Sequence, residues 1–278
     1  GIGYYNVLRQ PARARAAYER AFKQAPRDAR VLFERDQLWK RLGVAPRRRL
    51  RELQRHPRLV SSRDDLAVEQ IALCNQTGDP KQALALLSSR RFQPWEGGEG
   101  LVLGEHVRTH LLLGRLALTA GDAEGAKSFF ERALESPGNL GEAGHLLANR
   151  SDVRLALGDA CASLGDKSGA RRYWEQAAAG RGDFQEMRIR AYSEMTVYAA
   201  LALGRLGRRA SSRRLLEQLL KHAVWLKTKP AVLDYFATSL PALLLFDEDL
   251  DIRQTTAALY MEARQGWDWG SADGRAGF

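Results

Sequence analysis

Small and aromatic residues recur along this chain at offsets of four and three, the spacing that stacks side chains on one face of an α-helix. The clearest stretch carries Gly114, Gly121, Ala126, Phe130 and Ala133, separated by seven, five, four and three residues. Gly158, Gly165, Ala170, Trp174 and Ala177 repeat the series. The pattern predicts pairs of helices joined by a tight turn. The first glycine of each series sits where two helices approach closely. The second takes the left-handed conformation that stops a helix, and Asp122 or Asp166 after it favours the turn. The aromatic then fills the gap between hairpins while the alanines let backbones come close.

Weaker copies keep the phase. Ala14, Tyr18, Ala21 and Pro26 mark the second helix of an opening hairpin. A helix over about 28–42 ends at Gly43, and the next, over about 46–55, has Pro46 in its tolerated first turn. Gly78, Ala83 and Leu87 form another copy, and Gly207, Ser212, Leu216 and Leu219 a later one. A last helix over about 251–264 lacks a clean partner. The helix-ending glycines 43, 78, 121, 165 and 207 are 35, 43, 44 and 42 residues apart, against about 34 for a tetratricopeptide unit. The expected fold is all-α, a tetratricopeptide-like right-handed superhelix (α-solenoid) of antiparallel helix pairs with inserted loops. The repeat domain spans 1–265, with repeats at about 1–27, 28–58, 64–91, 104–137, 151–180 and 193–224 and a partial one at 251–265. Residues 266–278 read as a frayed or disordered tail.

Composition narrows the function classes. No apolar run approaches the ~20 residues of a membrane span, so no membrane partner is expected. The chain opens without Met or a signal-peptide pattern, which reads as a cytoplasmic fragment. The formal charge is +10, but residues 1–63 hold 17 Lys and Arg against 5 Asp and Glu, and the remainder 26 against 28. The excess therefore clusters near Arg47, Arg48, Arg49, Arg51, Arg55 and Arg58. It reads as a solvated basic face, with an acidic partner or a covering domain as the alternatives and no nucleic-acid partner. Cys74 and Cys161 each precede a helix-ending glycine by four residues, equivalent places that predict buried free thiols.

Four stretches exceed the repeat, at 91–105, 136–150, 180–192 and 227–251, and per-repeat insertions often fall on a binding face. Trp95, Glu96 and Glu99 read either as an aromatic platform flanked by carboxylates or as a tryptophan plug with glutamates capping the next helix. Two Glu three apart do not by themselves give the opposed carboxylates of glycoside cleavage. His106 and His110 share a helical face, but no third ligand lies nearby in sequence, so no metal is expected. The Gly-rich stretch at 96–100 lacks the Lys-Ser/Thr ending of a phosphate loop, and no nucleophile-elbow motif is present. No catalytic residues and no cofactor are expected. Asp247, Glu248, Asp249 and Asp251 read as a solvated helix start, or as ligand contacts.

The segments RFQPWEGGEG, ESPGNLGEAGH, SEMTVYAALALGRLGR and LDYFATSLPALLLFDEDLD resemble the C-terminal tetratricopeptide region of bacterial proteins carrying domain of unknown function 5107. The likeness runs from about Tyr4 to Met261 and departs after Met261. In that family the named domain is N-terminal, β-rich and similar to mutarotase-like carbohydrate-active modules. The resemblance implies the helical part of a larger bacterial protein. Its partner would be a protein segment or that N-terminal β-rich domain, with carbohydrate as a further candidate. It makes Trp95, Glu96, Glu99, Asn139, Glu142, His145, Asp234, Tyr235 and Asp247 candidates for a ligand face or domain interface. The function expected is a non-catalytic interaction scaffold, and the alternative is an accessory part of a carbohydrate-active enzyme whose inserts help line a sugar site.

Overall fold

A computed structural model describes residues 1–95, 97–180, 182–185, 188–231 and 245–266. The described chain is mostly helical. It begins with α1 (Ile2–Asn6), α2 (Pro11–Gln24), α3 (Ala29–Arg41), α4 (Pro46–Gln54), α5 (Pro57–Ser61), α6 (Asp64–Thr77) and α7 (Pro80–Ser88). After the first insert come α8 (Leu101–Thr119), α9 (Ala123–Arg132), a 3-10 turn (Gly138–Leu140), α10 (Ser151–Ser163) and α11 (Lys167–Ala178). A β-hairpin of β1 (Asp183–Gln185) and β2 (Arg188–Arg190) leads to α12 (Thr196–Arg205), α13 (Arg209–Lys227) and α14 (Leu250–Gly266). None of the described helices is long and apolar enough to cross a membrane. Two compact units divide the chain. The first contains Gly1–Leu113, Glu135–Gly144 and 245–248, and the second Gly114–Leu134 and the described parts of 145–231 and 249–266.

The glycine spacing has the physical basis the sequence implies. In the second unit a Cβ on Gly114 would lie 2.2 Å from the Phe130 ring, and one on Gly158 would lie 2.3 Å from Trp174. These positions admit no side chain while the facing aromatic stays in place. Gly121 and Gly165 turn the chain at φ +81° and +76°, where L-residues pay for their Cβ. Asp122 and Asp166 then each accept a 2.8 Å hydrogen bond, from the N–H groups of Gly125 and Gly169. That bond holds the Asp166 carboxyl below its ordinary value.

The next hairpin solves the same contact with different side chains. Seven residues before Gly207 stands Ala200, and nine after it stands Leu216, in one core cluster. The larger residue on the first helix faces a smaller one than phenylalanine or tryptophan on the second. Ser212, at the first alanine place, donates its hydroxyl to the Ala200 carbonyl at 2.7 Å, so its polar atom is satisfied.

In the first unit the core is largely aliphatic, built from residues such as Leu32, Leu53, Leu66, Ile71, Leu73 and Leu87, with Phe22 and Phe92 buried among them. Beside it runs a buried ionic network that corrects the reading of the whole Arg-rich run as solvated. Arg49 is 3% exposed; its Nη2 donates to Asp36 at 2.6 Å and to Glu69 at 2.7 Å, and its Nε to Asp36 at 3.0 Å. Lys40 adds a 3.0 Å pair to Glu69. Burial by itself would raise the Glu69 carboxyl, but Lys40 and Arg49 outweigh it and hold it below its ordinary value. Arg35, also buried, pairs with Glu52 and, at 3.5 Å, with Glu19. Arg47, Arg48, Arg51, Arg55 and Arg58 remain exposed.

The inserted stretch at 180–192 contains an antiparallel pairing with Phe184 opposite Ile189, which the helical period did not predict. Three-residue strands are too short to show alternation in sequence. Asp183 accepts from the Asn149 N–H at 3.0 Å, and the Asn149 side chain donates to the Gly182 carbonyl at 2.8 Å, tying this hairpin to the second insert. Both cysteines are buried free thiols, as expected. The tail expected over 266–278 starts one residue too early, since Gly266 closes α14; residues 267–278 lie outside the described residues.

Candidate functional site

The first two inserts meet in the first unit and enclose a cleft of about 360 Å³. Pro94, Trp95, Val102 and Leu140 supply its apolar lining, and Gln93, Glu99 and Glu142 its polar lining. Each wall is held by side chains that sequence spacing alone does not pair. Asp64 at the start of α6 accepts from the Gln93 N–H at 2.8 Å and pairs with Arg90. Asn139 donates its amide to the carbonyls of Leu87 and Arg90 at 3.0 and 3.1 Å, and its carbonyl accepts from the Phe92 N–H at 2.8 Å. Gly141 turns at φ +75° with the Phe92 carbonyl only 2.5 Å from where a Cβ would stand. The second insert is thus clamped along the first.

Glu142 completes the clamp. Its two oxygens accept from the N–H groups of Gly100 and Leu103 at 2.7 and 2.8 Å, satisfying unpaired donors at the start of α8. A carboxylate there also faces the positive end of the helix. Capping of this helix was expected from Glu96 or Glu99. Glu99 is instead exposed in the cleft lining, with no hydrogen bond or ion pair among the described residues. Glu96 lies outside the described residues. Trp95 is partly buried and packs against the core cluster of the unit, with a Cβ on Gly98 only 2.0 Å from its ring. That packing fits the plug reading of the tryptophan and leaves it at the edge of the cleft.

Trp95, Glu99 and Glu142 therefore line one recess, and Asn139 braces its wall. Asp247 lies in the same unit but outside that lining. Its carboxylate pairs with Arg9 at 3.1 Å and its N–H donates to Asn6 at 3.1 Å. His145 belongs to the second unit, where its ring stacks on Phe184 with centroids 3.7 Å apart and its Nδ1 accepts from the Leu147 N–H at 3.2 Å. Asp234 and Tyr235 lie outside the described residues. Asp249 accepts from the N–H groups of Asp251 and Ile252 at 3.0 Å each, the helix-start role expected of that acidic cluster. Sequence reasoning passed over Leu140 and Val102; the apolar Leu140 inside a Gly-rich insert was the available signal.

Both carboxylate oxygens of Glu142 are taken by backbone N–H donors. His106 and His110 are buried on α8 with rings 4.2 Å apart, and His110 Nδ1 lies 2.9 Å from the His106 carbonyl. Among the described residues no group of three or more His, Cys, Asp and Glu is placed to hold a metal ion.

A family model for the tetratricopeptide repeat matches residues 107–139. The match takes in Gly114, Gly121, Ala126, Phe130 and Ala133, the five positions of the clearest small-and-aromatic series. The chain is an all-α protein carrying a tetratricopeptide repeat.

Proposed function

We propose that this chain is a non-catalytic helical-repeat scaffold that holds a polypeptide in the cleft between its first two inserts. The partner is a segment of another protein or a companion domain of the same, larger bacterial protein. The supporting observation is the use made of Glu142 and Asn139. Both spend their polar groups on backbone and so pre-form a recess with apolar lining at Pro94, Trp95, Val102 and Leu140. A pre-formed recess lowers the ordering cost of binding, and its volume falls at the small end of binding pockets, about 300–1,000 Å³. Exposed Glu99 at the rim supplies one charge to orient a partner. The resemblance to the tetratricopeptide region of proteins with domain of unknown function 5107 favours a β-rich companion domain as one such partner.

The carbohydrate reading keeps one observation in its favour, the juxtaposition of Trp95 with the exposed Glu99 carboxylate in one cleft. One experiment separates the two. A random dodecapeptide display library is panned against the purified chain, and the same chain is screened by thermal shift against an oligosaccharide panel. The scaffold reading expects converging peptides whose affinity falls about tenfold or more in Trp95→Ala and changes measurably in Glu99→Lys. Glu99 is exposed and has no partner among the described residues, so the second variant is expected to keep the fold. Non-converging peptides, or a sugar-induced rise in melting temperature lost in both variants, would overturn it.

A further inference from the structure

Helix α4 and its C-cap residue carry Arg48, Arg51 and Arg55 at spacings of three and four, one helical face. With Trp39 of α3 and Glu52 they enclose a second recess, of about 390 Å³. Its floor is fixed. Trp39 is 5% exposed and donates Nε1–H to Glu19 at 3.0 Å, and the guanidinium carbons of Arg35 and Arg48 lie 4.8 and 5.4 Å from its ring centroid. Such placements over an indole are attractive.

The charges in this recess do not cancel. Glu52 is already paired with Arg35 and, at 3.3 Å, with Arg55. Arg49, in the same run, is turned inward to Asp36 and Glu69. Arg48 and Arg51 are exposed and have no acidic partner among the described residues. One turn of helix thus presents two uncommitted guanidiniums above a rigid aromatic floor. Their Cα atoms are separated by about 4.5 Å along the axis. Carboxylates on alternate residues of an extended segment stand about 6.6 Å apart, a separation that long arginine side chains span.

We infer that this recess docks an acidic polypeptide segment, with successive carboxylates engaging Arg48 and Arg51. Bidentate guanidinium–carboxylate bonds supply both strength and direction. The geometry favours this occupant over a nucleic acid. The Trp39 ring is buried and covered by guanidinium groups, so it offers no face for a base to stack on. Arg48 and Arg51, two arginines on one short helix, also fall short of the roughly six to ten phosphate contacts of a strong electrostatic site. The inference rests on the reading of the chain as a polypeptide scaffold and names the chemistry of one partner, at a location separate from the Trp95 cleft.

The test uses the whole chain and a fluorescein-labelled peptide of alternating Glu and Ser, followed by anisotropy at low salt. A Gln-Ser peptide and a twelve-residue oligo-dT serve as comparisons. The acidic peptide is expected to bind and the Gln-Ser peptide is not. The double variant Arg48→Glu, Arg51→Glu should lose affinity about tenfold or more, while Arg13→Glu, Arg58→Glu, equally exposed and outside the recess, keeps it within about threefold. Equal losses in both double variants would reduce the effect to diffuse charge and overturn the inference. So would an absence of binding, or displacement of the peptide by oligo-dT. Failure here with converging peptides at the Trp95 cleft removes this site alone; failure of both removes the scaffold reading.

Discussion

Glu142 accepts a 2.8 Å hydrogen bond from the N–H of Leu103 across 39 residues of chain, and so caps a helix that its own insert does not begin. The same carboxylate reaches Gly100 at 2.7 Å. Helix caps are ordinarily local, supplied by the residue before the first turn. Here Glu99, just before the helix, lines the cleft without a partner among the described residues, while an acid from the next insert does the capping. Scaffold and recess consequently form together.

Glu142→Ala should destabilise the chain by about 1–2 kcal/mol, the scale of a lost N-cap together with its charge at the helix end. Glu142→Gln keeps an acceptor and loses only the charge, and should cost about 0.3–1 kcal/mol. Urea titrations followed by circular dichroism would rank the three proteins. An alanine variant as stable as the parent would contradict the capping role.

Two glycines on α8 should respond to alanine with opposite signs. Gly104 has nothing within 4 Å of its ideal Cβ, so Gly104→Ala should stabilise by about 0.5–1 kcal/mol through helix propensity. Gly114 faces Phe130 at 2.2 Å, so Gly114→Ala should destabilise by about 1–3 kcal/mol through overpacking. Thermal melts of the single variants check both. If the two shifts share a sign, the close approach at Phe130 is not what fixes Gly114.

Acid should weaken the first unit through Glu69 and Glu52. Burial would raise both carboxyls, but Lys40 and Arg49 hold Glu69 down and Arg35 holds Glu52 down. A carboxyl held below its ordinary 4.5 contributes stability that is complete above that value and is lost as pH falls through its lowered one. Denaturation midpoints between pH 7 and pH 3 should drop most steeply below pH 4.5, and Glu69→Gln should flatten that slope while lowering stability at neutral pH. The neutral-pH loss follows because Arg49 would keep a buried charge with one fewer carboxylate, and breaking a buried pair costs about 3–5 kcal/mol at the upper end.

Neither thiol should react with a disulfide reagent while the protein is folded. Cys74 is fully buried, and burial, with Asp79 nearby, pushes its pKa up to about 11; burial also raises Cys161. The thiolate is the reactive form. Labelling at neutral pH should therefore proceed at the rate of opening, and become complete in denaturant. Rapid modification of either cysteine in native buffer would place it at the surface.

The hairpins were legible because each is specified within about thirty residues. Gly114 and Phe130, or Gly158 and Trp174, are set in contact by helix geometry and one turn, so their spacing in sequence carries the contact. Gly121 and Gly165 announce the turn by composition alone. The candidate site was legible only as a set of residue types. Trp95, Glu99 and Glu142 do share a recess, but residue spacing did not single out Glu142 as the cap of α8, and it did not set His145 and Asp247 apart from the others.

Sequence by itself determined the helical period, the turn positions, the small-against-large contacts of the α8–α9 and α10–α11 pairs and the burial of both thiols. Those depend on backbone geometry repeated over short distances. The tertiary structure decided which carboxylate caps α8, that Arg49 turns inward while Arg48 and Arg51 stay out, and that the stretch after α11 pairs as strands. Each of those depends on which distant group arrives within about 3 Å. A polar side chain goes to whichever unsatisfied partner the packed helices bring closest, and residue spacing does not encode that choice.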